Sequence, residues 1–433
     1  MKKMLIYGTI ALITMFIFAL ESIAREYALV DVYREALKNS EKIKMAQENL
    51  YIAQVGKNKA LSLLLPRVTA FGTYNHFTER KTTISGALIQ PEESGNWGVR
   101  ADESFSVSVR ELNALKIADQ TITKNKYDLD ATKSDYVLVV ASAYYDVLKA
   151  KKSLDIAADN MERLTQYRNS VEKRVKVGEL TKTSLLRAEG ELSGARSDYL
   201  KAANLLKLSS AALVRIAGIE EDFHLQETSP PVEDNKSLGD LRNIAFDSRS
   251  DLKSYHIQTQ MADEQVKYAR GSFWPYLNLF AVYQGADQNP PGQTLNRESV
   301  LAGAALNFPF FEGGLRIAEF NEAKARQRQS RLLYDDFKKN VDIELQAAYL
   351  DLQTQKGILK FLEDQVLFAK DNYKGVLRQF ENGLAVSLDV MDANSLLLSS
   401  EKNLVEALYN YQLAYLQVKR SNGTLLQFVD AGN

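Results

Sequence analysis

The sequence predicts an α+β membrane protein in which one unit, a long coiled-coil helical hairpin with two strands, is written twice. Three observations carry that prediction. They are an internal similarity with self-consistent spacing, long proline-free segments bearing an apolar stripe, and four short runs in which apolar and polar residues alternate.

The duplication is read from offsets. Ala36-Leu37-Lys38-Asn39-Ser40 aligns with Ala245-Phe246-Asp247-Ser248-Arg249, and Pro66 with Pro275, both 209 residues apart (245 − 36 and 275 − 66). Tyr144 and Asp146 align with Tyr349 and Asp351, Gly178 with Gly383, and Gly218 with Gly423, all 205 apart (for example 383 − 178). The shift of four falls between the proline and the tyrosine, as a single length change in one connection of a duplicated unit would produce. The implied division is a leader over 1–24, a first repeat over 25–219, a linker over 220–239, a second repeat over 240–425 and a tail over 426–433.

All eight prolines fall in three zones, Pro66 to Pro91, Pro230 to Pro231 and Pro275 to Pro309. Proline breaks a helix interior by removing a donor and clashing with the preceding turn, so 92–229 and 310–433 have room for very long helices. Val147, Ala150, Leu154, Ala157, Met161, Leu164, Val171 and Val175 follow alternating steps of three and four, with Arg168 as the one polar member. A stripe held over about four heptads reads as a coiled-coil seam. An ordinary core helix is the alternative, but a helix of roughly 65 residues would extend near 100 Å at 1.5 Å per residue, more than a compact domain of this size covers. Gly178 and Gly383 interrupt the pattern and are each followed by another proline-free helix, to about Ala217 and Ser421. Each glycine is read as a hairpin tip, where it supplies the backbone freedom of the turn.

The proline-containing zones alternate with period two. Val99, Ala101, Phe105, Val107 and Val109 interleave with Arg100, Asp102, Ser104, Ser106 and Ser108, with Glu103 breaking the apolar face. Leu277 to Tyr283 and Val300 to Phe308 repeat the pattern, and Arg67 to Phe77 is a weaker fourth case. The expected strands are 67–77, 97–109, 276–284 and 299–308, with polar connections over 78–96 and 285–298. Four such strands cannot close a barrel, which needs about eight, and an open edge in a bilayer leaves backbone groups unpaired. Other copies must complete them, and three copies give twelve strands.

Composition excludes several classes. Charges nearly cancel, 54 Lys and Arg against 55 Asp and Glu, and no basic tract suggests a nucleic-acid partner. Cysteine is absent, which removes disulfides, thiolate metal sites and a lipid-modified cysteine. Lys2 and Lys3, an apolar run from Leu5 to Leu20 and then Ser22-Ile23-Ala24 give the order of a secretory signal cleaved after Ala24; an uncleaved inner-membrane anchor is the other reading. Beyond Ala24 no apolar run reaches the 18 or so residues of a spanning helix. His76, His224 and His256 are the only histidines, none paired with another ligand at helical spacing, and no phosphate loop or nucleophile elbow appears. No catalytic, cofactor-binding or metal-binding residue is expected, and no enzymatic activity.

Two pairs of residues stand out. Trp97 and Trp274, the only tryptophans, fall near strand ends, suiting either membrane-interface anchoring or burial in a subunit contact. Asp389 and Asp392 share one face of the helix that returns from the second tip, where the helix macrodipole alone would also stabilise acids.

The tips Val175-Lys176-Val177-Gly178-Glu179-Leu180-Thr181-Lys182-Thr183-Ser184-Leu185-Leu186 and Asn382-Gly383-Leu384-Ala385-Val386-Ser387-Leu388-Asp389-Val390-Met391-Asp392-Ala393 resemble the two periplasmic tips of TolC-type outer-membrane efflux proteins. Phe308-Pro309-Phe310-Phe311-Glu312-Gly313-Gly314 is similar to that family's turn from the last strand into the long helix. The likeness spans essentially the whole mature chain. It implies a homotrimer with a 12-stranded outer-membrane β-barrel, a periplasmic α-helical barrel, and an equatorial waist built from the linker and the chain ends. The implied partners are outer-membrane lipid, an inner-membrane transporter that supplies energy, and a periplasmic adaptor (membrane fusion protein). The adaptor would meet the tips at Val177, Gly178, Glu179, Leu180, Gly383 and Leu384. Asp389 and Asp392 match positions lining the family's periplasmic constriction, a gate in which converging carboxylates would raise one another's pKa and favour cations. Where well-studied members carry a tyrosine and an arginine that help lock the closed tip, this chain has Phe380 and Ala385. Where they carry an aspartate in the first tip it has Ser184, with Thr183 retained. The implied function is a trimeric exit duct for tripartite efflux or type I secretion. A non-pore periplasmic or surface coiled-coil scaffold is the alternative, for which four amphipathic strands would have no use.

Overall fold

A computed structural model describes residues 25–227, 236–291 and 297–431. The expected leader over 1–24 and part of the expected linker lie outside the described residues. In chain order the elements are β1 (Arg25–Tyr27), α1 (Leu29–Asn39), α2 (Glu41–Ser62), β2 (Arg67–His76), β3 (Lys81–Thr82), β4 (Leu88–Gln90), β5 (Glu93–Ser106), α3 (Arg110–Lys176), α4 (Lys182–Ala217) and β6 (Phe223–Leu225). There follow α5 (Leu238–Ser248), α6 (Ser250–Gly271), β7 (Tyr276–Asn289), β8 (Glu298–Asn307), α7 (Leu315–Glu381), α8 (Ser387–Ser421) and α9 (Leu425–Asp430).

Matched elements keep matched lengths. α1 and α5 have 11 residues each, α2 and α6 have 22 each, and α3 and α7 have 67 each. Strand register locates the one length change. Arg67 faces Asp102 and Tyr276 faces Asn307, so the facing pairs are 35 and 31 residues apart (102 − 67 and 307 − 276). The difference of four sits entirely in the first connection, which also holds the small hairpin β3–β4.

The chain forms two compact units. One gathers residues up to Lys44, Ala131–Arg249 and Asn340 onward. Its first core cluster has Val32, Tyr33, Val137, Tyr144, Leu148, Leu213 and Leu425 at its centre. The Tyr144 hydroxyl donates to the main-chain oxygens of Gln226 and Tyr27 and so pins the parallel pair β1–β6. Burial pushes the Tyr144 phenol well above its ordinary pKa and that of Tyr409 up to about 12, so both stay neutral.

A second cluster in the same unit joins the two hairpins. Leu164, Tyr167 and Val171 of α3 pack with Ala188, Leu192 and Ala195 of α4 and with Ala369, Phe380, Val390 and Leu397 of α7 and α8. The predicted stripe is the buried side of α3: Val147, Ala150, Ala157, Leu164 and Val171 are buried, and Leu154, Met161 and Val175 half-buried. Its polar member Arg168 pairs with Glu172 at 2.6 Å and with Glu189 of α4 at 3.0 Å. The alanines on α4 let the backbones approach closely, as a seam requires.

Both reversals use the same hydrogen-bond pair. Glu179 N–H donates to Arg174 O (2.9 Å) and Gly178 N–H to Val175 O (3.1 Å); Leu384 N–H donates to Gln379 O (2.8 Å) and Gly383 N–H to Phe380 O (3.0 Å). Gly178 and Gly383 have φ of +83° and +74°, the left-handed conformation that ends a helix in this motif. The N-terminal side of α5 is closed by Ser237, whose hydroxyl accepts from Asp240 N–H while the Asp240 carboxylate accepts from Ser237 N–H.

The second unit gathers Met45–Asp130 and Ser250–Lys339 and contains a four-stranded antiparallel sheet in the order β2-β5-β7-β8. Its central strands are longer than the alternation suggested, beginning at Glu93 rather than 97 and running to Asn289 rather than 284. β5 and β7 pair along their full 14 residues, through polar partners such as Ser94 and Gln288, and polar pairs leave no alternation to read. β5 ends at Ser106, not 109. Val109 adopts φ of +54°, and the Ser106 and Ser108 hydroxyls both donate to Gly271 O, so residues 107–109 form a tight turn into α3. A left-handed conformation at a β-branched residue is strained.

Two glycines separate conformational strain from steric strain. Gly178 has open space around the position of a Cβ, whereas a Cβ on Gly423 (φ +77°) would lie 2.8 Å from Arg249 N. Gly178→Ala should cost about 1 kcal/mol and Gly423→Ala on the order of 3 kcal/mol. Thermal unfolding followed by circular dichroism checks this, and equal midpoints for the two variants would contradict it.

Candidate functional site

The sheet presents two chemically distinct faces. Register puts Val68, Ala101, Ala281 and Ala302 in one row, Ala70, Val99, Tyr283 and Val300 in the next, and Phe105, Leu277 and Leu306 in a third, all on one side. Glu103 stands in this apolar face opposite Leu279, and its Oε2 is buried with no hydrogen-bond partner among the described residues. The other side carries Thr69, Arg100, Asp102 and Gln284 together with Phe71 and Phe280. Arg100 Nε donates to Asp102 Oδ1 at 2.7 Å, and its guanidinium lies over the Phe280 ring at 5.9 Å.

Three cross-strand pairs set an aromatic ring over a glycine. Phe71 faces Gly98, Trp97 faces Gly285 and Phe280 faces Gly303. A Cβ on each glycine would come within 2.8 Å, 2.5 Å and 2.5 Å of the facing ring. The missing side chain makes room for the ring, which in turn covers the exposed glycine backbone. Trp97 also meets Tyr283 edge-on at 5.8 Å and is half exposed on the apolar face; Trp274 lies exposed in the turn before β7.

β2 and β8 are the sheet edges. Among the described residues β2 pairs only with β5, and β8 only with β7, so each carries a row of unpaired backbone groups. Val68 on β2 is 67% exposed and Val300 on β8 is 79% exposed. Long apolar edges of this kind invite pairing with another chain.

At the other site, in the first unit, the tips present apolar side chains to solvent. Val177 is 70% and Leu384 80% exposed, Gly178, Glu179 and Gly383 are exposed, and Leu180 is half-buried against the second core cluster. Asp389 and Asp392 are both exposed. Asp389 Oδ2 accepts the Val386 N–H at 2.9 Å, so this carboxylate closes the start of α8, where valine has no side-chain acceptor to do so.

Side chains the sequence did not single out tie the tips together. Arg174, on the last turn of α3, donates from Nη1 to Phe380 O at 2.7 Å, lies over the Phe380 ring at 5.0 Å and pairs with Glu179 at 2.9 Å. The Tyr167 hydroxyl shares a 2.6 Å hydrogen bond with the Ser387 hydroxyl. Phe380, where relatives were expected to carry a tyrosine, is almost wholly buried between them. Deeper in the seam Asn394 donates to Asn160 at 2.9 Å, both buried. A basic residue in the last turn of α3 was visible in the sequence, but its reach to the second hairpin is tertiary and had no signal.

Arg174→Met keeps the aliphatic stem and removes the bond to Phe380 O. Backbone amide exchange over 177–181 and 382–386 should quicken by about 5- to 30-fold, the loss of roughly 1–2 kcal/mol for a charge-assisted bond. Exchange unchanged at both tips would show that the bond contributes nothing to holding them.

Comparison with known proteins agrees with this geometry. The profile of the outer membrane efflux protein family matches residues 32–219 and 241–424. The two matches begin 209 apart (241 − 32) and end 205 apart (424 − 219), the offsets of the internal duplication. Outer membrane protein TolC of Vibrio cholerae is 24% identical over 415 residues, covering 92% of this chain and 91% of that protein. The alkaline protease secretion protein AprF of Pseudomonas aeruginosa is 21% identical, covering 95% and 87%. The crystal structure of the Vibrio cholerae outer membrane protein VceC superposes with a TM-score of 0.78 at 19% identity, covering 91% of this chain and 96% of that one. The chain belongs to the outer membrane efflux protein family, whose members are channels rather than enzymes.

Proposed function

We propose that three copies of this chain close a twelve-stranded barrel in the outer membrane, continue as an α-helical barrel through the periplasm, and serve as a passive, gated exit duct. The carrying observation is a four-stranded sheet with one apolar face and two open edges. In hydrocarbon each unpaired backbone group costs several kcal/mol, and joining β2 of one copy to β8 of the next removes every edge at once. The rows of Ala, Val, Leu and Tyr then face lipid, and Arg100, Asp102 and Gln284 face the lumen. Trp97 sits opposite Gly285, 11 residues along the chain from Trp274 (285 − 274). At about 3.3 Å per residue and a tilt near 45° that separation projects to about 25 Å, the height of the apolar band, which suits the two tryptophans as interface anchors.

The duct works with partners in this reading. A periplasmic adaptor docks on Val177 to Leu180 and on Gly383 to Leu384, and an inner-membrane transporter supplies the energy. The names of the relatives speak of efflux and of protease secretion, and either use needs the same passage. Asp389 and Asp392 from three copies converge on the periplasmic throat, where about six carboxylates favour cations.

Three outcomes are expected. With cysteines introduced on β2 and β8 of a chain that has none, oxidation in cells should give dimer and trimer adducts in the outer-membrane fraction; a monomeric soluble species ends the duct reading. A cysteine at Lys182 or Val386 should crosslink to an adaptor, whereas reaction only between copies of this chain would place the adaptor elsewhere. In planar bilayers, Asp389→Ala with Asp392→Ala should raise conductance or weaken cation selectivity and abolish block by multivalent cations. Unchanged permeation in an assembled trimer would leave Asp389 as a helix cap only.

A further inference from the structure

Inside one copy the two repeats already meet along a complete seam. β5 of the first repeat pairs with β7 of the second over 14 residues, Val99 opposite Tyr283, and past the end of that ladder the Val107 N–H donates to Pro275 O at 2.9 Å. The duplication supplies a counterpart for each side, since β8 matches β5 at an offset of 205 and β2 matches β7 at an offset of 209. Both counterparts stop short. β5 runs to Ser106 and β7 to Asn289, whereas β8 ends at Asn307 and β2 at His76, each four residues before the matched end at 311 (106 + 205) and 80 (289 − 209). Ser106 and Gly271 are buried in the inner seam, while their counterparts Phe311 and Ser62 are exposed.

The two offsets name a register for the open edges. Val99 opposite Tyr283 becomes Ala304 (99 + 205) opposite Tyr74 (283 − 209), with Leu306 opposite Gly72 and Phe308 opposite Ala70. Local features agree with it. On both edges odd-numbered residues bond inward, as Ala286 N–H to Arg297 O and Phe77 N–H to Glu92 O show. The outward N–H groups therefore belong to even-numbered residues, and this register sets even against even. The same parity brings the apolar faces together, which a one-residue slip would not. Large side chains meet small ones, whereas a slip of two would set Leu306 against Tyr74 in one direction and Ala304 against Gly72 in the other. Pro309 takes an odd position, where its missing N–H costs the new ladder no bond.

We infer, resting on the ring of copies proposed above, that β8 of one copy pairs with β2 of the next in this register and that pairing draws residues 308–311 into the strand. The Glu312 N–H (107 + 205) then donates to Pro66 O (275 − 209) of the next copy. The partner of each edge is a second copy of this chain, held by backbone and apolar contact. The side-chain ties that brace the inner seam, Arg110 to Tyr268 and Lys116 to Glu264, map onto Leu315 with Lys59 and Asn321 with Val55, pairs that can form neither.

The test pairs cysteines in a chain that has none. Ala305→Cys with Thr73→Cys puts the two thiols directly opposite (100 + 205 and 282 − 209), and Ala305→Cys with Phe71→Cys or with Asn75→Cys puts them diagonally. Facing Cβ atoms lie about 4.5–5.5 Å apart and diagonal neighbours about 7–8 Å, against about 3.5–4.5 Å in a disulfide. Under mild oxidation in detergent micelles the Ala305 and Thr73 pair should give covalent trimers about tenfold faster than either diagonal pair. A diagonal pair that reacts as fast or faster overturns the register and leaves the ring standing; no adduct from any pair overturns both. The unmodified protein supplies a second reading, because amide exchange over 308–312 should be at least tenfold slower than in a free peptide of the same sequence. Exchange at the free-peptide rate overturns the strand extension.

Discussion

Along β2 and β8 a row of N–H and C=O groups has no neighbour among the described strands, and either water or another strand must take them up. The apolar face decides between these, because a surface of Val, Ala, Leu and Tyr is at home in hydrocarbon, where no water is available. The helices carry the same demand in another form. Phe361 and Phe368 of α7 are largely exposed in the single chain, and a helix of that length buries its apolar positions only against companions. One copy leaves backbone uncovered in the sheet and side chains uncovered on the helices, and the closed ring of copies proposed above would cover both.

The hairpins show how far one chain goes towards its own stability. Alanines on α4 admit α3 closely, Arg168 neutralises Glu189 across the seam, and Asn160 and Asn394 pair where apolar side chains would leave register free. At the tips Arg174 and Tyr167 bridge the first hairpin to the second around Phe380. The latch expected from tyrosine, arginine and aspartate in relatives is absent here, and an arginine on the opposite hairpin makes a different contact at the same level.

Legibility followed the backbone. Gly178 and Gly383 stood out because a left-handed reversal needs glycine, and the prolines because they cannot enter helices or sheet interiors; both gave hairpins and offsets without any contact being known. The sheet interior was legible where side chains alternate, and the ends were not. Glu93 to Gly95 pair through the ladder with polar neighbours, and Val107 to Val109 keep a strand-like pattern while the Ser106 and Ser108 hydroxyls turn the chain. β1 and β6 are three residues each and owe their existence to Tyr144, a tertiary fact. Asp389 was readable as a charge, yet its bond to Val386 N–H depends on valine standing where a serine or threonine usually caps.

The equal lengths of α3 and α7, with α4 and α8 at 36 and 35 residues, make the hairpins behave like gauge blocks. Inserting one heptad into a single hairpin would carry its tip about 10 Å past the other, at 1.5 Å per residue, and pull Arg174 away from Phe380. A viable change of hairpin length therefore requires four coordinated insertions, two in each half of the gene. The connection between β2 and β5 has already taken up four residues without a counterpart. Length polymorphism among descendants of this duplication should accumulate in that connection and be nearly frozen in the hairpins.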